Sequence, residues 1–97
     1  MNLKKTISQD ESETVEFKKS PSESKEIIKT ISAFANTKGG KIFVGISNSG
    51  KAIGVEIGKD TIERLVNQIT QNTDPKIHPR ITVEKIDEKQ AIIIKVK

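Results

Sequence analysis

The sequence predicts an α+β fold: two helices packed on a mixed β-sheet in the order β-α-β-β-α-β-β, forming a single compact domain. Two segments, after Pro21 and after Asp60, have the apolar period of amphipathic helices. Short runs rich in Val and Ile, bounded by Gly-, Asn- and Pro-containing turns, precede and follow those helices. The length of 97 residues suits one domain. We expect it to comprise residues 13–97, after a flexible N-terminal segment at residues 1–12.

The first half is predicted to form a strand, a helix and a second strand. In ETVEFKK, Val15 and Phe17 alternate with polar residues, which indicates a half-buried strand. SPSE is typical of a capping box with Ser20 at the N-cap and Glu23 as its partner, so a helix is expected to start there. The double glycine after that helix can adopt the left-handed conformation that ends it. KIFVGI is apolar on both faces, which predicts a central strand.

The second half is predicted to contain a return strand, a helix and a hairpin. SNSGK is a hairpin loop in which Asn48 and Gly50 are the candidates for positive φ, and AIGVEI is the strand that returns from it. Asp60 caps the second helix, and Glu63 completes its capping box. QNTDPKIHP is a loop because each proline restricts the residue before it. RITVEKI and AIIIKV, on either side of DEKQ, predict a C-terminal hairpin.

The charge of the chain is compatible with an anionic partner. The net charge is +4 and the pI is about 9.4, although a solvated lysine-rich surface has the same composition. Only two cations are arginines and all three aromatic residues are Phe, so phosphate contact with little base recognition is expected. The sequence has no transmembrane stretch, secretory signal or cysteine, which excludes a disulfide framework and a thiolate metal site. We expect a cytoplasmic protein without membrane contact.

The stretch AFANTKGGKIFVGISNSGK concentrates glycines, amides and lysines around one apolar strand. A phosphate-binding loop would run from strand to helix, whereas these glycines follow a helix C-terminus, where the dipole is negative. Lysines at the two ends of the strand would lie roughly 15–20 Å apart, a spread that suits an extended polyanion. The expected nucleic-acid contacts are Lys18, Lys19, Asn36, Lys38, Lys41, Asn48 and Lys51.

The carboxylates of ESETVE form a second candidate site. Glu11, Glu13 and Glu16 could together bind a divalent cation, which prefers several oxygen ligands. On one continuous strand Glu11 and Glu16 face opposite sides, so they converge only if the chain leaves the strand near Glu11. The alternative is a solvated strand edge balanced by the neighbouring lysines. His78 is expected to be an exposed neutral imidazole, and a Ser/His/Asp or Cys/His site is excluded.

The segments ESETVEFKKS and IIKTISAFANTKGGKIFVGISNSGKAIGV together resemble the Schlafen-type AlbA-like domain over roughly residues 11–55. The shared pattern is a glutamate before EFK, a helix ending in FANT, a double glycine, an apolar strand ending in GI, and a return segment with IxGV. The resemblance implies an α+β fold and a DNA-binding module. In prokaryotes such modules stand at the N-terminus of transcriptional regulators and helicase-related proteins.

The resemblance to eukaryotic Schlafen relatives implies a metal-dependent endoribonuclease site, which in those relatives consists of three acidic residues. The corresponding positions here are Glu11, Glu16 and Asn48, of which the third is not acidic. Asparagine brings no negative charge, so affinity for Mg²⁺ or Mn²⁺ should be lower. We therefore expect a non-catalytic module without a cofactor that binds nucleic acid, and the expected nucleic acid is DNA. Two alternatives stay open. One is a Mg²⁺- or Mn²⁺-dependent endoribonuclease using Glu11 and Glu16, and the other is an oligomerisation module that forms a homodimer through AIIIKV as an edge strand.

Overall fold

The computed structural model describes residues 14–97. In chain order these form β1 (Val15–Lys18), α1 (Ser24–Ala35), β2 (Gly40–Val44), α2 (Thr61–Gln71), β3 (Arg80–Ile86) and β4 (Lys89–Val96). The α+β class with two helices on a mixed sheet is confirmed, and neither helix in this range is long and apolar enough to cross a membrane. The predicted flexible segment, residues 1–12, lies outside the described residues.

The sheet has the strand order β1-β2-β4-β3. Strand β1 is parallel to β2, and α1 makes the crossover between them; the β2–β4 and β4–β3 pairs are antiparallel. The prediction that KIFVGI is central is confirmed. The prediction that AIIIKV is an edge strand is wrong, because β4 lies between β2 and β3. Residues Ala91, Ile92, Ile93 and Ile94 are all buried, so both faces of β4 are covered, which is typical of an interior strand.

Apolar side chains are buried on both faces of the sheet. On one face, Ile27 and Ile31 of α1 and Leu65 of α2 belong to the same buried cluster as alternate residues of β2 and β4. On the opposite face, which we call the distal face, Phe17 and Phe43 stack with ring centroids 6.1 Å apart. They belong to a second buried cluster that also contains Ile46, Ala52, Ile86, Ala91 and Ile93.

Helix α1 begins at Ser24, later than the capping box predicts. The Ser20 hydroxyl accepts a hydrogen bond from the Ser22 N–H at 3.1 Å and so closes a local turn. The Glu23 carboxylate accepts from the backbone N–H groups of Lys19 at 2.9 Å and Ser20 at 3.3 Å. The glutamate half of the predicted box therefore forms, while the serine holds a turn ahead of the helix.

Helix α2 begins where the sequence predicts. Asp60 occupies the N-cap position, but its side chain makes no capping hydrogen bond. The Thr61 hydroxyl accepts from the Gly58 N–H at 2.8 Å and holds the turn that precedes the helix. Burial of Leu65 and Ile69 then fixes this helix against the sheet.

The predicted return strand AIGVEI does not form, so the order within residues 14–97 is β-α-β-α-β-β. Its first residue makes one isolated bridge, between Ala52 and Ile46. Gly45 and Gly54 have φ values of 104° and 84°, which turn the chain out of the extended conformation. The N–H of Val55 then donates to the backbone of β4 at 2.9 Å. The segment therefore crosses to another strand instead of continuing beside β2.

The C-terminal hairpin is tighter than the predicted loop DEKQ. Only Asp87 and Glu88 form the turn, with φ values of 49° and 65°, while Lys89 and Gln90 already belong to β4. Two consecutive positive φ angles are typical of a two-residue type I′ turn. This turn pairs Ile86 with Lys89 and sets the register of the whole hairpin.

Candidate functional site

Three basic residues form a row across three neighbouring strands. Lys41 of β2 is paired with Lys95 of β4, and Lys95 is paired with Arg80 of β3. Directly paired residues project from the same face, and Lys41 lies two residues before Phe43, so the row is on the distal face. Strands are about 4.8 Å apart, so the three Cα positions span roughly 10 Å. We call Lys41, Lys95 and Arg80 the cationic row.

The cationic row places like charges in direct opposition. Arg80 and Lys95 are exposed, whereas Lys41 is half-buried. Burial lowers the pKa of the Lys41 ammonium, and the positive charge of Lys95 lowers it further. Like charges in directly opposed positions on a sheet are unfavourable. An anion bound over the row would remove part of this repulsion, so the arrangement is suited to binding negative charge.

Two further lysines lie at the same end of the sheet. Lys38 is exposed in the loop between α1 and β2, and Lys97 follows the last residue of β4. The Lys97 ammonium donates to the Thr37 carbonyl oxygen at 3.2 Å, which fixes the chain end beside this loop. We call the five residues at this end of the sheet the cationic end: Lys38, Lys41, Arg80, Lys95 and Lys97.

The double glycine holds the helix-to-strand loop against the end of β4. Gly39 has φ of 89°, and its N–H donates to the Phe34 carbonyl oxygen at 2.9 Å, which confirms the predicted C-terminal cap. A Cβ on Gly39 would lie 2.3 Å from the Val96 carbonyl oxygen, and one on Gly40 would lie 2.7 Å from the Phe34 ring. The glycines therefore allow close packing, which brings Lys38 and Lys97 to the same end of the sheet.

The predicted contact residues are divided between the two ends of the sheet. Lys38 and Lys41 lie at the cationic end. Lys18 and Lys19 lie at the opposite end of β1, where the Lys18 carbonyl oxygen accepts from the N–H groups that follow β2. The turn after β2 also lies at this end and carries two more of the predicted contact residues, Asn48 and Lys51, which are both exposed. In this turn Gly50 has the predicted positive φ, whereas Asn48 does not.

Asn36 has a structural partner at the end of α1. It is the C-cap residue, and its side-chain amide donates to the Ser32 carbonyl oxygen at 3.0 Å. The Thr37 hydroxyl donates to the carbonyl oxygens of Ala33 and Phe34, both at 3.2 Å. These side chains satisfy helix carbonyls that lack partners within the helix. The amides and hydroxyls of AFANT therefore contribute to the shape of the loop.

The carboxylate site cannot be assembled from the described residues. Glu11 and Glu13 lie outside them, and Glu16 is half-buried on β1. Glu16 pairs with Ile42, so it projects from the helix-bearing face. Residues 14–97 contain no group of three His, Cys, Asp or Glu side chains that could hold a metal ion. His78 is exposed, as predicted.

Sequence reasoning missed Arg80, Lys95 and Lys97 as members of the site. Lys95 interrupts an otherwise apolar run, and this interruption was the available signal. Nothing in the local sequence connects Lys95 with Lys41, which lies 54 residues earlier (95 − 41). Only the strand order makes them neighbours.

The chain is similar to one described protein family and to solved structures. The sequence profile of the family described as Schlafen, AlbA_2 matches residues 11–97. A similar solved structure is the N-terminal domain of a Nitrosomonas europaea protein described as related to the ATP-dependent DNA helicase RecG. Its TM-score is 0.72 and its sequence identity 24%, over 98% of this chain and 70% of that one. At this identity the likeness shows the fold.

A second similar structure is the DIP2311 protein from Corynebacterium diphtheriae, with a TM-score of 0.70 and 22% identity. The match covers 87% of this chain and 20% of that protein, so this chain spans about a fifth of its length. No curated protein matches this chain.

Proposed function

This chain belongs to the Schlafen, AlbA_2 family, and from that premise we propose that it is a nucleic-acid-binding domain that holds the phosphates of duplex DNA at its cationic end. The observation that carries the proposal is the cationic row, in which adjacent strands place three positive charges side by side. The similar Nitrosomonas protein is described as helicase-related, which is consistent with a domain used next to DNA. We place this chain among the DNA-binding modules of transcriptional regulators.

The dimensions of the cationic row suit a phosphate backbone. Each strand of duplex DNA carries one negative charge per roughly 3.4 Å of the helix axis, so the roughly 10 Å of the row corresponds to about three phosphates of one strand. Four of the five residues at the cationic end are lysines, which contact phosphates as mobile point charges. Arg80 alone offers a planar guanidinium for a bidentate contact. This composition favours backbone contact over base recognition.

Relief of charge repulsion also supports the proposal. The pKa of Lys41 is lowered by burial and by Lys95, so the charged form of this side chain is less stable in the folded domain than in water. A phosphate placed over the pair would stabilise both charged forms, and the pKa of Lys41 would rise on binding. DNA binding should therefore be linked to proton uptake at alkaline pH.

The test is a titration of labelled duplex DNA, followed by fluorescence anisotropy, across salt concentrations from about 50 to 200 mM. For each phosphate neutralised, the slope of log affinity against log salt should be about −0.9. Lys95→Gln and Arg80→Gln should each weaken binding and make the slope shallower by about 0.9. The matched control is Lys25→Gln, which removes one exposed charge on α1.

Several outcomes would contradict the proposal. Binding that does not respond to salt, or no binding at low salt, would exclude phosphate contact. An equal loss in the α1 control would indicate diffuse attraction to the positive net charge. If Lys51→Gln reduced the slope while Lys95→Gln did not, the interface would lie at the opposite end of the sheet. Tighter binding to single-stranded or duplex RNA of the same sequence would contradict DNA as the partner and would indicate RNA instead.

A further inference from the structure

Strand β3 is an edge strand that presents an ordered set of side chains. It pairs with β4 on one side, and no strand within residues 14–97 pairs with its other side. Residues Thr82 and Glu84 are exposed, and 39% of the Val83 surface is accessible although Val83 is apolar. Unpaired backbone groups on such an edge are a template for another strand. Within residues 14–97, the outer side of Arg80–Ile86 is therefore available for pairing.

The hairpin determines which backbone groups of β3 face outwards. A two-residue turn is closed by a hydrogen-bonded pair, here Ile86 and Lys89, and hydrogen-bonded pairs then alternate along the strands. Residues 80, 82 and 84 consequently direct their N–H and C=O groups towards β4. Ile81, Val83 and Lys85 direct theirs away from the sheet. A partner strand can bond only to these outward groups.

We propose that β3 pairs antiparallel with β3 of a second copy of this chain, about a two-fold axis at Thr82. This register places Arg80 opposite Glu84 of the second copy, twice by symmetry. It places Ile81 opposite Val83, also twice, and Thr82 opposite its own copy. Opposite charges, paired β-branched residues and paired threonines are each favourable across strands. The outward-facing Ile81 and Val83 become the hydrogen-bonded pairs, in agreement with the hairpin.

Other registers lack this complementarity. A two-fold axis at Val83 would place Ile81 opposite the charged Lys85. An axis at Glu84 would place two carboxylates opposite each other, which is unfavourable. An axis between two residues would match an outward-facing residue with an inward-facing one and break the hydrogen-bond pattern. Charged residues on the edge therefore oppose non-specific pairing and select a single register.

The inferred dimer goes beyond the proposed function and has a consequence for it. A two-fold axis normal to the sheet keeps the same face of both copies on the same side. The two cationic rows would then lie on one continuous eight-stranded sheet. Their centres would be offset along the strand direction because Arg80 lies two residues from the axis. A single polyanion could contact Lys41 and Lys95 of both rows, while each Arg80 would be shared with Glu84 of the other copy.

The dimer is tested without nucleic acid, so its failure is independent of any failure to bind DNA. Mass in solution is measured by sedimentation equilibrium at rising protein concentration. The wild type should approach twice the 10.7 kDa chain mass, with a dissociation constant of roughly micromolar order because the paired segment is short. Val83→Pro removes an outward-facing N–H without removing one bonded to β4, so it should give a folded monomer.

A charge-swap series provides the second arm. Glu84→Arg places like charges opposite Arg80 twice and should raise the dissociation constant about tenfold. Combining Arg80→Glu with Glu84→Arg restores opposite charges and should restore the dimer. Within one chain these two residues are about 13 Å apart, too far for an ion pair, so rescue requires a second copy. Circular dichroism confirms that each variant is folded.

The possible outcomes distinguish the proposed dimer from a monomer and from a dimer that uses another surface. A dimer that is weakened by Glu84→Arg and rescued by the double exchange supports the proposal. A wild type that stays monomeric up to roughly 1 mM overturns it. A dimer that is unaffected by both Val83→Pro and Glu84→Arg uses another surface, and this also overturns it. A failure of the double exchange to rescue dimerisation rejects the Thr82-centred register.

Discussion

Replacing Gly39 with alanine should destabilise the domain more than any ordinary surface substitution. Gly39 has φ of 89°, and a left-handed conformation costs a non-glycine residue about 1–2 kcal/mol. The new Cβ would lie 2.3 Å from the Val96 carbonyl oxygen and 2.8 Å from the Lys97 Cβ. Relief requires movement of the end of β4, and overpacking of this kind costs about 1–3 kcal/mol. We expect the free energy of unfolding to fall by about 3 kcal/mol, from a total of roughly 5–15 kcal/mol.

The measurement is urea unfolding followed by circular dichroism, with thermal unfolding alongside it. For a domain of this size, a loss of about 3 kcal/mol lowers Tm by roughly 12–24 °C. The matched control is Gly58→Ala: a Cβ there would meet only the Thr61 hydroxyl, at 3.7 Å, and the change should stay within about 0.5 kcal/mol. If Gly39→Ala changed stability no more than this control, the end of β4 would not pack against the loop, and the cationic end would lose its structural basis.

Two further predictions concern the hairpin and the cationic row. Glu88→Gly should stabilise the domain by about 0.5–1 kcal/mol, because Glu88 has φ of 65° in a type I′ turn that favours glycine. Urea unfolding measures this change in the free energy of unfolding. A loss of stability would contradict the turn assignment. The pKa of Lys41 in the folded domain is lowered from its ordinary 10.5. Between the lowered pKa and 10.5, the unfolded chain therefore binds more protons than the folded chain. The free energy of unfolding should increase as pH rises through that window. Lys41→Gln should flatten this dependence in urea unfolding at several pH values, with Lys29→Gln as the control; an unchanged profile would exclude Lys41 as its source.

The predictions that succeeded depend on neighbours in sequence. The apolar spacing of each helix shows which face is buried, and Ile27, Ile31, Leu65 and Ile69 are indeed in the core. The double glycine lets the chain pass from α1 into β2, because a side chain at either position would meet a close contact and Gly39 has positive φ. The central position of β2 follows from apolar residues on both of its faces.

The predictions that failed depend on distant parts of the chain. AIGVEI has strand composition, but Gly45 and Gly54 turn it away from β2, and Val55 bonds to β4 instead. Strand order also separates the predicted contact residues: Lys38 and Lys41 lie at the cationic end, whereas Lys18, Lys19, Asn48 and Lys51 lie at the other. Their role in binding stays a prediction for both groups.

Local sequence signals were sufficient to predict both helices and the strands β1 to β4, because periodicity, capping and backbone freedom act over a few residues. The position of β4 between β2 and β3 follows only from tertiary packing. That single choice places Lys95 between Lys41 and Arg80 and makes β3 the edge. Strand order depends on which apolar surfaces are buried together across the whole chain, and no short segment contains that information.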